Sequence, residues 1–217
     1  MSHHESAVTG TDARLADRML YFTDAVFAIV LTLLALELRP PEADITDEAA
    51  LAQGIADQAR YFASFAISFA LGGAFWLAHL RTSRLIRVFD WRAAIVNLLH
   101  LLTVGLLPFA AALLGQHIAS AVAFSGYAIV VMLVSFTGAW FWLTATRDKG
   151  RLVGGMTQRV RIAGALRAGA IGVAFAAGLV LIHYGQLNSA RFCWVLIFPL
   201  LLVARLIGGK QPKTPPA

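Results

Sequence analysis

The sequence holds a single cysteine, Cys193, among 217 residues. No disulfide can close within the chain, and metal clusters built on several thiolates are excluded. Charge is scarce as well. Only 14% of the residues are Asp, Glu, Lys or Arg, against roughly 25% in an average soluble domain. What remains is 59% apolar, with a mean hydropathy of +0.70. That is too little polar surface to coat a water-soluble globule of this length, so the chain reads as an integral membrane protein. The first 17 residues are polar and lack the apolar core and small-residue cleavage site of a removable leader. The first apolar segment is therefore expected to direct insertion itself.

Six segments offer the roughly 20 apolar residues that a spanning helix needs. They fall near 19–38, 58–80, 92–114, 119–146, 162–184 and 191–208. The expected class is all-α and polytopic: a cytoplasmic tail over 1–17, a six-helix membrane domain over 18–208 and a tail over 209–217. The tail "GGKQPKTPPA" reads as disordered. Pro40 and Pro41 end the first helix. Thr46, followed by Asp47 and Glu48, marks the start of another, with acid at the positive end of the dipole.

The net charge of +6 and pI near 10.1 would suggest nucleic acid in a soluble protein. Here basic loops explain them, and no nucleic-acid partner is expected. With six spans, fifteen Lys and Arg fall on one side, clustered over 81–92 and 147–167, and only Arg39, Arg60 and Arg191 on the other. The positive-inside rule puts both termini in the cytoplasm of a multi-pass plasma-membrane protein. The acidic first connection, with Glu42, Asp44, Asp47 and Glu48, falls outside.

The most informative stretch is "RMLYFTDAVFAIVLTLLALEL", from Arg18 to Leu38. At 100° per residue Ile29, Leu33 and Leu36 share one narrow stripe, with Thr32 beside it. Phe22 extends that stripe to Arg18, while Thr23 and Asp24 point elsewhere. An apolar stripe on a spanning helix ordinarily meets lipid or another helix, and the Thr32 hydroxyl can bond the carbonyl of Ala28. Asp24 is harder to place, because an ionised carboxylate in the membrane must face protein or water. A tethering hydrogen bond is its simplest role. Glu37, at the far end, either reaches the interface or adds to a negative ring that concentrates cations.

These residues resemble the first-helix signature of the transmembrane protein 175 family of potassium channels, in its short prokaryotic form. The pattern is an Arg, three residues, Phe-Ser-Asp, then Ala-Val-Phe-Ala-Ile and Thr-Leu-Leu. Arg18, Phe22, Asp24, Ala25 to Ile29 and Thr32 to Leu34 match it, and Thr23 replaces the usual Ser. Trp76 and His79 match a Trp-x-x-His element of the second helix. Asn97 and Pro108 fall in a stretch similar to the third. The last 100 residues match mainly in hydropathy.

The resemblance implies a homotetramer of six-helix subunits in a bilayer, with the first helices around a central pore. Its constriction falls on Ile29, Leu33 and Leu36, and its selectivity layer on Thr32, beside which K⁺ would permeate. Arg18, Thr23, Asp24, Trp76, His79 and Asn97 would form the polar network that fastens the first helix. A ring of apolar side chains can gate by dewetting. Selectivity for K⁺ over Na⁺ is expected to be weak, because the sequence contains no Thr-Val-Gly-Tyr-Gly filter. No helix carries an array of voltage-sensing arginines. No cofactor beyond the permeant ion is implied.

The remaining candidates are weaker. His79 near a helix end reads as a hydrogen-bonded structural histidine rather than a pH sensor. His100, His117 and His183 show no metal-ligand spacing, and His3 and His4 belong to the tail. Trp140, Trp142 and Trp194 read as interface or packing aromatics. Gly164, Gly169, Gly172 and Gly178 permit close helix packing. The rival class is a proton- or ion-coupled transporter using Asp24, Glu37 and His79. It lacks an evident inverted repeat. An enzyme is not expected, since no serine–histidine or metal constellation converges.

Overall fold

The structure, a computed structural model, describes residues 2–38, 40–41, 47–86, 90–150, 153 and 156–208. Every element described is helical. Helix α1 (Ser2–Leu33) tightens into a 3-10 turn at Leu34–Glu37. Then come α2 (Glu48–Asp57), α3 (Ala59–Ser83), α4 (Trp91–Val104), α5 (Leu107–Gln116) and α6 (Ala121–Ala145). After the short α7 (Arg147–Gly150) follow α8 (Gln158–His183), α9 (Leu187–Ala190), a 3-10 turn at Cys193–Leu196 and α10 (Ile197–Gly208).

Five stretches are long and apolar enough to cross a bilayer: Ala16–Leu36, Glu48–Ser83, Trp91–Gln116, Ala121–Ala145 and Gln158–His183. The chain is a multi-pass membrane protein. The sixth expected segment, 191–208, differs from the sequence reading. It is found as the shorter apolar helix Cys193–Gly208. Pro199 explains this, because a helix through it would meet its ring with the carbonyl of Val195 and find no N–H to bond. Regular α-helix therefore restarts at Ile197, with Pro199 in its first turn. The resulting 12-residue α10 rises about 18 Å against a hydrocarbon thickness of about 30 Å.

Pro108 acts the same way on the third span. Its missing N–H would have bonded the carbonyl of Val104, where α4 ends, and α5 starts with Pro108 in its first turn. Helix starts elsewhere follow capping rules. The Asp90 carboxylate accepts the amide of Ala93 at 2.9 Å, and Ser120 Oγ accepts that of Ala123 at 3.3 Å. The start expected at Thr46 lies one residue later, at Asp47. The tail expected over 1–17 is helical from Ser2 and continuous with the first span. Thr46 itself, the readings of Arg39, Glu42, Asp44, Arg87 and Arg151, and the 209–217 tail fall outside the described residues.

Two polar contacts fix which ends of the spans lie together. Asp90, before α4, pairs with Arg147, after α6. Arg191, before the terminal helix, donates to the carbonyl of Ile118, before α6, at 2.8 Å. The core between these ends is made by Phe27, Val104, Leu107, Tyr127, Val131, Val134 and Phe175. The closest packing joins α6 and α8. Ser135 Oγ donates to the carbonyl of Ala168 at 2.7 Å and accepts the amide of Gly172 at 2.8 Å. Trp142 donates its indole N–H to the carbonyl of Arg161 at 2.8 Å, and a Cβ on Gly164 would enter its ring.

Candidate functional site

The first span has two faces of opposite fate. Thr23, Phe27, Val30 and Leu34 recur at helical spacing and are all buried against α3, α4 and α5. On the other side Ile29 is 58% exposed, Leu33 40% and Leu36 67%, with Phe22 and Thr32 also uncovered. The single chain therefore leaves open the stripe that the sequence grouped.

The buried face is pinned by two side-chain bonds from neighbouring helices. Trp76 of α3 donates its indole N–H to Asp24 Oδ1 at 2.9 Å. Asn97 of α4 donates its amide N–H to Thr23 Oγ1 at 2.8 Å, and that hydroxyl donates onward to the carbonyl of Met19 at 2.9 Å. Such bonds hold well where no water competes for the partners. Four of the six residues expected in the network thus meet in two pairs. Arg18 is exposed and has no hydrogen-bond or ion-pair partner among the described residues. His79 is buried beside the pairs, but its Nε2 finds no hydrogen-bond partner among the described residues.

His79 is held by rings instead. It stacks on Phe141 at 4.8 Å and on His100 at 5.6 Å, and Phe27 of the first helix tilts against both imidazoles at about 6 Å. The sequence alone gives His100 no role beyond its lack of metal-ligand spacing. Its signal was its place three residues after Asn97, on the same face of α4. Its Nδ1 lies 3.0 Å from Thr137 Oγ1. That hydroxyl also lies 2.7 Å from the carbonyl of Leu133 and 3.0 Å from the Thr103 hydroxyl, so His100 joins a small polar cluster between α4 and α6. A cavity of about 20 Å³ adjoins the two imidazoles, enough for a single water.

Thr32 departs from the sequence reading in one detail. Its hydroxyl donates to the carbonyl of Ile29 at 2.7 Å rather than to that of Ala28. A threonine hydroxyl in a helix can bond either the i−3 or the i−4 carbonyl, and here it takes the first. With its proton committed to the backbone, the hydroxyl oxygen presents only lone pairs outward. The backbone of Glu37 closes the 3-10 turn, and its side chain lies outside the described residues. No group of three or more His, Cys, Asp or Glu that could hold a metal is found among the described residues.

Residues 18–108 match the family model described as endosomal/lysosomal potassium channel TMEM175. A potassium channel of Streptomyces collinus is 32% identical over 135 residues, which covers 59% of this chain and 65% of that protein. The match thus spans just under two thirds of the length of that relative. A potassium channel of Chamaesiphon minutus is also 32% identical, over 136 residues covering 61% of this chain and 67% of its own. The chain belongs to the TMEM175 family. The fold agrees: the crystal structure of a lysosomal potassium-selective channel TMEM175 homologue from Chamaesiphon minutus superposes with a TM-score of 0.72 at 25% identity. That match covers 88% of this chain and 98% of the other. Both relatives are named as potassium channels, a class without enzymatic chemistry. The TMEM175 family match contains the open stripe, both anchoring pairs and His79 with His100, and stops at Pro108.

Proposed function

We propose that this protein is a passive cation channel, selective for K⁺ and weakly so over Na⁺. Four copies assemble around a central pore lined by the first helix of each, and the short Cys193–Gly208 helix completes a six-helix subunit. Ile29, Leu33 and Leu36 form the apolar constriction, which closes by dewetting. Thr32 supplies outward-facing oxygen that replaces part of an ion's water shell. Arg18, Thr23, Asp24, Trp76, His79 and Asn97 orient the helix rather than touch the ion. Both termini lie on the cytoplasmic face of the plasma membrane, on the side where basic residues cluster.

The observation that carries this reading is the division of α1. One face is fixed by Asp24–Trp76 and Thr23–Asn97, while Ile29, Leu33 and Leu36 remain 40–67% exposed in the isolated subunit. The experiment is K⁺ and Na⁺ flux into liposomes carrying purified protein, with Thr32→Val beside the unaltered chain. K⁺ uptake down its own gradient, with discrimination reduced by Thr32→Val, supports the channel. Uptake that needs a proton or counter-ion gradient and is lost in Asp24→Asn favours a coupled transporter using Asp24, Glu37 and His79.

A further inference from the structure

A second cavity, of about 200 Å³, lies between the first span and the end of α3. It is lined by Asp17, Leu20, Tyr21 and Asp24 from one helix and by Leu80, Ser83 and Arg84 from the other. On the helical wheel Asp17, Leu20 and Asp24 stand well away from the Ile29–Leu33–Leu36 stripe, so the cavity is lateral to the proposed pore.

Its charges are unusual. Two carboxylates and one guanidinium face a single space, yet no ion pair joins any of them among the described residues. Asp24 gives one oxygen to the neutral indole of Trp76, which leaves its charge uncompensated. Ser83 is only 5% exposed, and its hydroxyl has no hydrogen-bond partner among the described residues. An unpaired carboxylate and an unbonded hydroxyl at the end of two spans each cost free energy that a suitable ligand would recover.

We propose that this cavity binds the headgroup of a lipid carrying a primary ammonium beside a phosphate, such as phosphatidylethanolamine. The ammonium, with three N–H donors, sits among the Asp17 and Asp24 carboxylates. The phosphate accepts from the Arg84 guanidinium and the Ser83 hydroxyl. Leu20 and Leu80 flank the short carbon link. The two ends of such a ligand match the opposite charges that line the cavity. The site lies at a span end, the depth at which headgroups and interfacial tyrosines such as Tyr21 reside.

The test is native mass spectrometry of protein purified from bilayers with equal amounts of phosphatidylethanolamine, phosphatidylcholine and phosphatidylglycerol. The expected result is selective retention of phosphatidylethanolamine. Retention should fall roughly tenfold or more in Asp17→Asn and in Arg84→Gln, the loss expected of one charge-assisted hydrogen bond. Both residues are exposed and lie outside the anchoring pairs, so both variants should assemble. Equal retention of phosphatidylcholine, whose quaternary nitrogen has no N–H, overturns the proposal. So does unchanged retention in both variants. Displacement of retained lipid by soluble phosphoethanolamine supports the headgroup chemistry. Binding of soluble phosphoethanolamine by protein that retains none of the three lipids overturns the lipid as its source.

Discussion

The two halves of the molecule solve helix packing in different ways. In the C-terminal half α6 and α8 approach through small residues, so Ser135 reaches both Ala168 and Gly172, and Trp142 lies over Gly164. Without a hydrophobic drive between helices in lipid, such close approach is what holds them together. In the N-terminal half α1 touches its neighbours along one face only, and long polar side chains reach across to it. The first arrangement brings two backbones together along a tight seam. The second fixes the orientation of a helix while leaving most of its surface available. The proposed pore role of α1 would require the second arrangement, and the helices that carry it would require the first.

The contrast is broken most severely at Gly164. Gly164→Leu would drive a branched side chain into the Trp142 indole, and the cost should reach about 3 kcal/mol or more, the upper end for overpacking. The expected outcome is loss of monodisperse protein on size exclusion, with no flux to measure. A variant that assembles with an unchanged melting temperature would mean that the α6–α8 seam can open, and that close approach at Gly164 is not what holds that half together.

Next in size are the tethers. Removing either partner of the Asp24–Trp76 bond should cost about 1.5–3 kcal/mol, the range for hydrogen bonds to charged groups. Asp24→Ala and Trp76→Phe should each lower the thermal midpoint, and the double variant should fall short of their sum. Additive losses would show that the two residues do not act as a pair. A smaller effect belongs to the loop link. Asp90→Asn keeps an N-cap oxygen for Ala93 and weakens only the partly exposed pair with Arg147, so at most about 1 kcal/mol is at stake. Asp90→Ala removes both contacts and should lower the midpoint further than Asp90→Asn.

How much of this was legible in the sequence follows from how far each effect reaches along the chain. Spans one to five were readable because hydrophobic length is local. The Ile29–Leu33–Leu36 stripe was readable because helical period is local too. Breaks at Pro108 and Pro199 are written in the sequence, but long apolar runs on both sides outweigh them, so hydropathy alone does not show where the helix over 191–208 restarts. The partner of Asp24 lies 52 residues away and that of Thr23 lies 74 away. No period links such residues, and only the likeness to a known family grouped them. That likeness marked Trp76, His79 and Asn97 but not His100, whose stacking on His79 depends on the relative rotation of α3 and α4. The cavity at Asp17 and Ser83 depends likewise on how α1 sits against α3.

The smallest structural disturbance should produce the clearest functional one. Ile29→Ala and Leu33→Ala remove methyl groups from a face that the subunit leaves exposed, so neither empties a packed core. Substitutions of that kind usually change stability by no more than about 0.5 kcal/mol. If the face were turned to acyl chains, the pair would leave flux unchanged as well, since lipid fills the space. If it lines a pore, the ring widens by the lost methyls of every copy at once, and a wider apolar ring is easier to wet. The expected outcome is K⁺ flux several-fold above that of the unaltered protein, reduced discrimination against Na⁺ and an almost unchanged thermal midpoint. Unaltered flux and selectivity in the double variant would return Ile29 and Leu33 to the lipid. The two halves would then differ in packing alone, with no consequence for conduction.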